Sequence, residues 1–227
     1  MSAGPLRVLL IGHGRMGRLV DQLADEYGVD IVGRVTRTEL TDAGSWPAAD
    51  VAIDFSAPEA IGTHARAAGE RGMCLVIGTT GWQDREDEVR RALAPLPVGV
   101  IAAPNFAIGV NVFNAIAERS AQLLVERGFA PWIHEAHHAA KKDAPSGTAL
   151  ALQRVVEAAG GAPVHVSATR AGSIPGTHTV GFDAPTESIS LTHVARDRTP
   201  FARGALEAAR WVHRRRGWFT MRDMLDL

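Results

Sequence analysis

Near the start of the chain a short apolar run, Val8–Ile11, leads directly into Gly12-His13-Gly14-Arg15-Met16-Gly17. No other feature constrains the fold as much. A strand that feeds a G-x-G-x-x-G turn, which in turn opens a helix, is the fingerprint of a dinucleotide-binding βαβ unit. Gly12 permits the tight turn, Gly14 lets backbone approach a pyrophosphate, and Gly17 allows the helix to pack close to the strand. The helix that begins here offers amide donors and the positive end of its dipole to an anion. His13, Arg15 and Met16 complete the candidate cofactor turn.

The next ninety residues repeat the alternation. Strands are expected at Val8–Ile11, Ile31–Val35, Val51–Phe55, Leu75–Ile77 and Val98–Ala102. Helices are expected between them, at Arg15–Tyr27, Pro58–Arg71 and Asp84–Ala94. Continuous apolar strands separated by helices indicate a parallel sheet covered on both faces. The pattern changes after Asn105, to a long helix at Val110–Arg127 and a strand through Pro131-Trp132-Ile133 into a histidine cluster. A helix from Ser146 to about Ala159 follows. Alternating segments at Val164–Thr169, Thr177–Phe182 and Ser188–Val194 then suit a mixed or antiparallel sheet, and a last helix runs over Phe201–Arg216. The expected fold class is therefore α/β: a Rossmann-type doubly wound parallel sheet followed by an α+β domain. The dinucleotide-binding domain is expected over 1–104, with 204–227 packing back onto it. The substrate-binding and oligomerisation domain is expected over 105–203.

Ligands of open α/β sheets bind at the carboxyl ends of the strands. Those ends carry Gly78-Thr79-Thr80 and Ala103-Pro104-Asn105-Phe106, small or polar enough to admit a flat nicotinamide. The second strand ends in Thr36-Arg37. An arginine without an adjacent acid favours a 2′-phosphate, so Arg37 points to NADPH in preference to NADH, although Glu39 lies within reach of a ribose hydroxyl.

Composition removes several function classes. A net charge of −1 and a pI near 6.8 argue against a general nucleic-acid binder. The run Arg214-Arg215-Arg216 reads as a solvated helix end. One cysteine, Cys74, allows no intrachain disulfide and fits a reducing compartment. No apolar run reaches membrane-spanning length, and the first strand begins too early for a signal peptide. A cytoplasmic location is expected.

The lysines are the second signal. Removing two lysines from the 24 Lys+Arg leaves 22 arginines, and the two lysines, Lys141 and Lys142, stand together after His134-Glu135-Ala136-His137-His138. A lysine can exchange a proton or act as a compact charge, which a guanidinium cannot. The segment also matches the zinc-hydrolase pattern H-E-x-x-H. A strand entering the cluster, and the lack of a third ligand at metzincin spacing, argue against metal. The sharper reading is an anion site. Ser146 caps the following helix, and Gly147 and Thr148 present amides and a hydroxyl at its positive end. His138 and Lys141 add positive charge, His137 is suited to deliver a proton, and Asp143 to orient the lysine. Arg170 is left open between a ligand contact and a structural ion pair.

Four segments, Gly12–Gly17, Val76–Gly81, Asn105–Asn111 and Glu135–Ala149, together with the terminal Met221–Leu227, resemble 4-hydroxy-tetrahydrodipicolinate reductases (formerly dihydrodipicolinate reductases) of the diaminopimelate–lysine pathway. The resemblance runs nearly end to end. It implies NAD(P)H as hydride donor, a small cyclic dicarboxylate substrate and a homotetramer built through the sheets of the second domain. It places His137 on the family's proton donor, Lys141 on its lysine acid, His138 on its substrate-binding histidine, and Gly147 and Thr148 on its carboxylate contacts. It assigns no metal. Thr36 stands where the family commonly has an acid, which again favours NADPH. Closure of the two domains over both ligands is expected. The rival readings are a non-catalytic NADP(H) sensor and, more remotely, a zinc hydrolase.

Overall fold

The computed structural model describes residues 4–36 and 43–227. Arg37 and Glu39, on which the sequence reading of coenzyme preference rests, lie outside them. The chain forms two compact units, one from residues 1–108 and 199–227 and one from residues 109–198.

The first unit is built on six parallel strands: β1 (Leu6–Ile11), β2 (Val29–Val35), β3 (Val51–Asp54), β4 (Cys74–Ile77), β5 (Gly99–Ala102) and β10 (Gly217–Phe219). Their order is β10-β5-β4-β3-β1-β2. Every strand of the centre is apolar on both faces, and the pleat sends alternate residues to two cores. Val8 and Leu10 of β1 join Ile53, Val76 and Ile101 beneath α1 (Arg15–Leu23) and α6 (Thr199–Val212). Leu9 and Ile11 join Ala52, Leu75, Ile77 and Val100 beneath α2 (Ile61–Glu70) and α3 (Glu86–Leu93). Helix α6 comes close because its buried stripe is small: Ala202, Gly204, Ala205, Ala208 and Ala209. A Cβ on Gly204 would fall 1.7 Å from the Phe106 carbonyl oxygen. The short strand β10 and the helix α7 (Met221–Leu225), absent from the sequence reading, finish the unit.

The second unit carries a mixed sheet of β6 (Ala130–His137), β7 (His165–Arg170), β8 (Thr177–Ala184) and β9 (Glu187–Val194), in the order β7-β6-β8-β9. Strands β6 and β7 are parallel; β8 runs antiparallel to β6 and β9. Helices α4 (Ile108–Leu124) and α5 (Gly147–Gly160) cover one face, where Phe113, Ala117 and Ala121 of α4 and Leu152 and Val156 of α5 meet Ile133, Val180 and Phe182. The α/β architecture expected from the sequence, a doubly wound parallel sheet and a mixed second sheet, is the architecture found.

Candidate active site

In the first unit, the turn after β1 is held by its own backbone. Gly12 adopts φ +88°, donates to the Val35 carbonyl at 2.9 Å, and has no room for a Cβ, which would lie 2.5 Å from the Phe55 carbonyl oxygen. At Gly17 a Cβ would strike the Gly12 carbonyl oxygen at 2.1 Å. Gly14 is different: a Cβ there meets nothing within 4 Å. It is the N-cap of α1, no side chain caps that helix, and its exposed position leaves the first-turn amides to an outside partner. Packing thus explains two of the three glycines; no neighbour in the structure requires the third. Arg15 is exposed, while Met16 packs on the core. His13 Nε2 contacts Asp21 at 3.0 Å, and Arg34 grips the same carboxylate through two contacts of 2.6 Å. The Arg34 guanidinium holds the Asp21 carboxyl below its ordinary range.

The neighbouring strand ends are tied together by Asp54. Its buried carboxylate accepts from the Ser56 amide (2.8 Å) and hydroxyl (2.6 Å), from the Thr79 hydroxyl (3.0 Å), and from His64 Nδ1 (2.8 Å). Ser56, His64 and Asp54 are the residue types of a hydrolytic triad, but serine and aspartate both address Nδ1, so no relay runs through the ring. The node fixes the loops that follow β3 and β4. The Thr79 hydroxyl is consequently turned inward and Thr80 is the exposed residue of the pair. Gly78 is required because Phe55 lies where its Cβ would be. After β5, Ala103 donates to Ile77, Pro104 is exposed, and the Asn105 side chain accepts from the Ala107 amide. The Phe106 ring is buried edge-on to Phe55.

In the second unit, β6 alternates strictly, sending Ile133, Glu135 and His137 inward. This geometry removes the H-E-x-x-H reading. The two histidines of that pattern need one helical face, but His134 lies on β6, which ends at His137, and turns away from Glu135 to meet Ser167 at 2.9 Å. Among the described residues, the cluster with metal-ligand geometry is Glu135, His137 and His178. Its carboxylate is already held by a guanidinium, which opposes a cation.

That carboxylate organises the site. Glu135, fully buried, receives His137 Nδ1 on Oε2, and Arg170 Nη2 (2.7 Å) and the Ser146 amide (3.1 Å) on Oε1. Burial disfavours its charge, but Arg170, His137 and the Ser146 amide outweigh burial and keep the carboxyl below its ordinary range. His178 packs edge-to-face on His137 with ring centres 5.2 Å apart, and burial pushes its pKa down to about 4. Its Nε2 meets the Ser146 hydroxyl at 3.1 Å, and that hydroxyl also accepts from the Ala149 amide as the N-cap of α5. Lys141 Nζ contacts both oxygens of Asp143, at 2.7 and 2.9 Å. Lys141 and the Gly147 amide together draw the Asp143 carboxyl below its ordinary range. Gly147 is exposed, and Thr148 and His138 are half-buried. The residues the sequence reading passed over are Glu135, His178 and the buried part of Arg170; period-two alternation would have put Glu135 on the face of His137.

Family models match both halves of the chain. The N-terminal model described as dihydrodipicolinate reductase matches residues 6–106. The C-terminal model of the same description matches residues 109–225. A 4-hydroxy-tetrahydrodipicolinate reductase from Stenotrophomonas maltophilia is 40% identical over 243 residues, spanning 100% of both chains.

The chain belongs to the dihydrodipicolinate reductase family.

A second member, from Archaeoglobus fulgidus, is 36% identical over 263 residues, covering 97% of this chain and 100% of that one. The solved dipicolinate-bound dihydrodipicolinate reductase from a Paenisporosarcina species superposes with a TM-score of 0.80 at 21% identity, over 95% of this chain and 97% of the other. For this dihydrodipicolinate reductase family member that superposition establishes the fold. No helix among its described residues is long and apolar enough to cross a membrane.

Proposed function

We propose that the protein is an NAD(P)H-dependent 4-hydroxy-tetrahydrodipicolinate reductase of diaminopimelate and lysine biosynthesis. Overall, the hydroxylated substrate, a reduced nicotinamide and a proton yield tetrahydrodipicolinate, the oxidised nicotinamide and water. The nicotinamide supplies the hydride when bound. The chain's own residues bind, orient and protonate. The observation that carries the reading is a buried His137 on the Glu135 carboxylate, with Lys141 and the start of α5 following within ten residues, in a chain alike in full length to reductases of this name.

His137 gives the proton that the ring carbon needs once hydride addition has left an enamine-like centre. Lys141 supplies a second acid and positive charge. Gly147 and Thr148 receive a substrate carboxylate at the α5 N-terminus, with His138 beside them. The Asp143 carboxylate, which already draws on Lys141 and Gly147, supports such a cradle. For the cofactor, Gly12, His13, Gly14, Arg15, Met16 and Gly17 hold the pyrophosphate turn. Gly78, Thr79, Thr80 and Ala103 to Phe106 border the nicotinamide half. Arg37 takes the 2′-phosphate, making NADPH the preferred donor over NADH. The edge strand β9 leaves Ile189 and Val194 exposed, which supports a homotetramer assembled through the second sheet.

The test is loss of nicotinamide absorbance with the labile substrate generated in situ from pyruvate and aspartate semialdehyde by its synthase. Synthase-dependent oxidation, faster with NADPH than with NADH, is expected. Folded protein that binds NADPH and oxidises neither coenzyme would replace the reductase by a nucleotide sensor.

A further inference from the structure

Glu135 touches neither end of the reaction described above, yet it is the ionisable side chain on which that site converges. It sits two residues before His137 on β6 and therefore on the same face. Its Oε1 is filled by Arg170 and the Ser146 amide, and its Oε2 is left to His137. An ionised carboxylate has no proton to donate and serves only as an acceptor. The ring nitrogen that meets it must therefore be the one carrying hydrogen.

We propose that Glu135 is a positioning residue, held by Arg170 as its counter-ion, that fixes His137 with Nδ1–H on the carboxylate and Nε2 as the proton-delivering atom. The inference rests on the reading of His137 as the acid. The surroundings of Nε2 agree with it. Gly176 stands against that edge of the ring, where a Cβ would come within 3.1 Å of Nε2, and the absence of a side chain there leaves the atom accessible. The charged and titratable groups around the ring come from each packed element: Glu135 beside it on β6, His178 on β8, and Arg170 on β7 through Glu135, while Lys141 and Asp143 pair with each other in the loop after β6. His178, neutral near physiological pH, puts no rival charge against the ring. Arg170 is paired register-for-register with His137 across β6 and β7, so the counter-ion is placed by the sheet and not by a mobile side chain.

The experiment is long-range 1H–15N NMR on protein labelled at histidine nitrogens, with the His137 signals assigned by their loss in His137→Gln. At a pH where the ring is neutral, Nδ1 is expected to be pyrrole-like and Nε2 pyridine-like. The reverse pattern overturns the inference, and this measurement needs no Glu135 variant to fold. In Glu135→Gln, kcat is expected to fall on the order of tenfold to a hundredfold. NADPH affinity should stay within about twofold, since Glu135 and the cofactor turn belong to different units and share no partner among the described contacts. The alkaline limb of the kcat profile should move to lower pH, and the ring should become a mixture of tautomers. Wild-type kcat with an unchanged ring pattern in that variant makes Glu135 merely structural. The two readings fail separately. Unchanged turnover in His137→Gln removes the acid itself. Lost turnover in His137→Gln with hydrogen on Nε2 in the wild type removes only the role given to Glu135.

Discussion

The three glycines of the first turn are spatially adjacent but answer to different demands, and two substitutions separate them. In Gly17→Ala the new methyl meets the Gly12 carbonyl oxygen at 2.1 Å, where ordinary contact begins at 3.4 Å. The obstacle is backbone, so relief requires α1 to move off β1 by more than an ångström, disturbing Val20 and Leu10 in the core beneath it. Overpacking of this kind costs about 2–3 kcal/mol. In Gly14→Ser the side chain enters open space at the N-cap of a helix that has no side-chain cap. Serine is a better cap than glycine, so stability is expected to hold or rise by about 0.5 kcal/mol. The serine hydroxyl, however, occupies the amides that a pyrophosphate uses. Losing one hydrogen bond to a charged group costs about 1.5–3 kcal/mol, roughly 10- to 150-fold in Kd. Urea unfolding followed by tryptophan fluorescence reports the right unit, because four of the five tryptophans (Trp46, Trp82, Trp211 and Trp218) belong to it. NADPH titration gives the affinity. Gly14→Ser that binds NADPH as tightly as wild type would refute the placement of the pyrophosphate. An unchanged urea midpoint in Gly17→Ala would refute the packing argument.

Three further outcomes are expected. The pKa of His178 falls from the ordinary 6.5 to about 4 on folding. The unfolded chain therefore binds its proton more readily, and stability is lost as pH drops from about 6.5 toward 4, by about 3 kcal/mol in all. His193, also pushed down by burial, acts in the same direction, so the check is a shallower stability slope over that window in His178→Gln than in wild type. Ser146→Ala removes the cap on Ala149 and strands His178 Nε2; a loss of about 1–2 kcal/mol is expected in thermal or urea unfolding, and no loss would dismiss the cap as a contributor. Lys141→Arg keeps the charge and the reach to Asp143 but not the exchangeable proton, so kcat should fall on the order of a hundredfold with NADPH binding retained. Wild-type kcat in that variant would leave Lys141 a purely electrostatic role.

Much of the first sheet is legible locally because its central strands β1, β3, β4 and β5 are short and largely apolar runs. The helix ends are less so. The expected helix to Tyr27 stops at Leu23 and tightens into a 3-10 turn over Ala24–Tyr27, which Gly28 closes with φ +63°. Arg170 and His178, as partners of the Glu135–His137 face, escape a linear reading for a physical reason. Arg170 comes beside β6 only through the parallel register that pairs it with His137, and His178 only through the antiparallel register that pairs it with Glu135. These partners are thirty-three and forty-three residues apart in sequence. No periodicity within either strand encodes them. The pair β10 and α7 escapes because three strand residues and one helical turn carry too few positions to show a period.

The chain leaves the nucleotide half before residue 109 and returns only at Thr199. A ribosome therefore delivers the inserted half whole while the earlier half still lacks α6, and with it the cover that Ala202, Ala205, Leu206, Ala208, Ala209 and Val212 lay over one side of the parallel sheet. Until residues 199–227 emerge, that side keeps only α1 over β1 and leaves Ile53, Val76 and Ile101 without the cover of α6. The portion made first is thus the portion finished last, and the interval between the two is when this polypeptide most needs a chaperone.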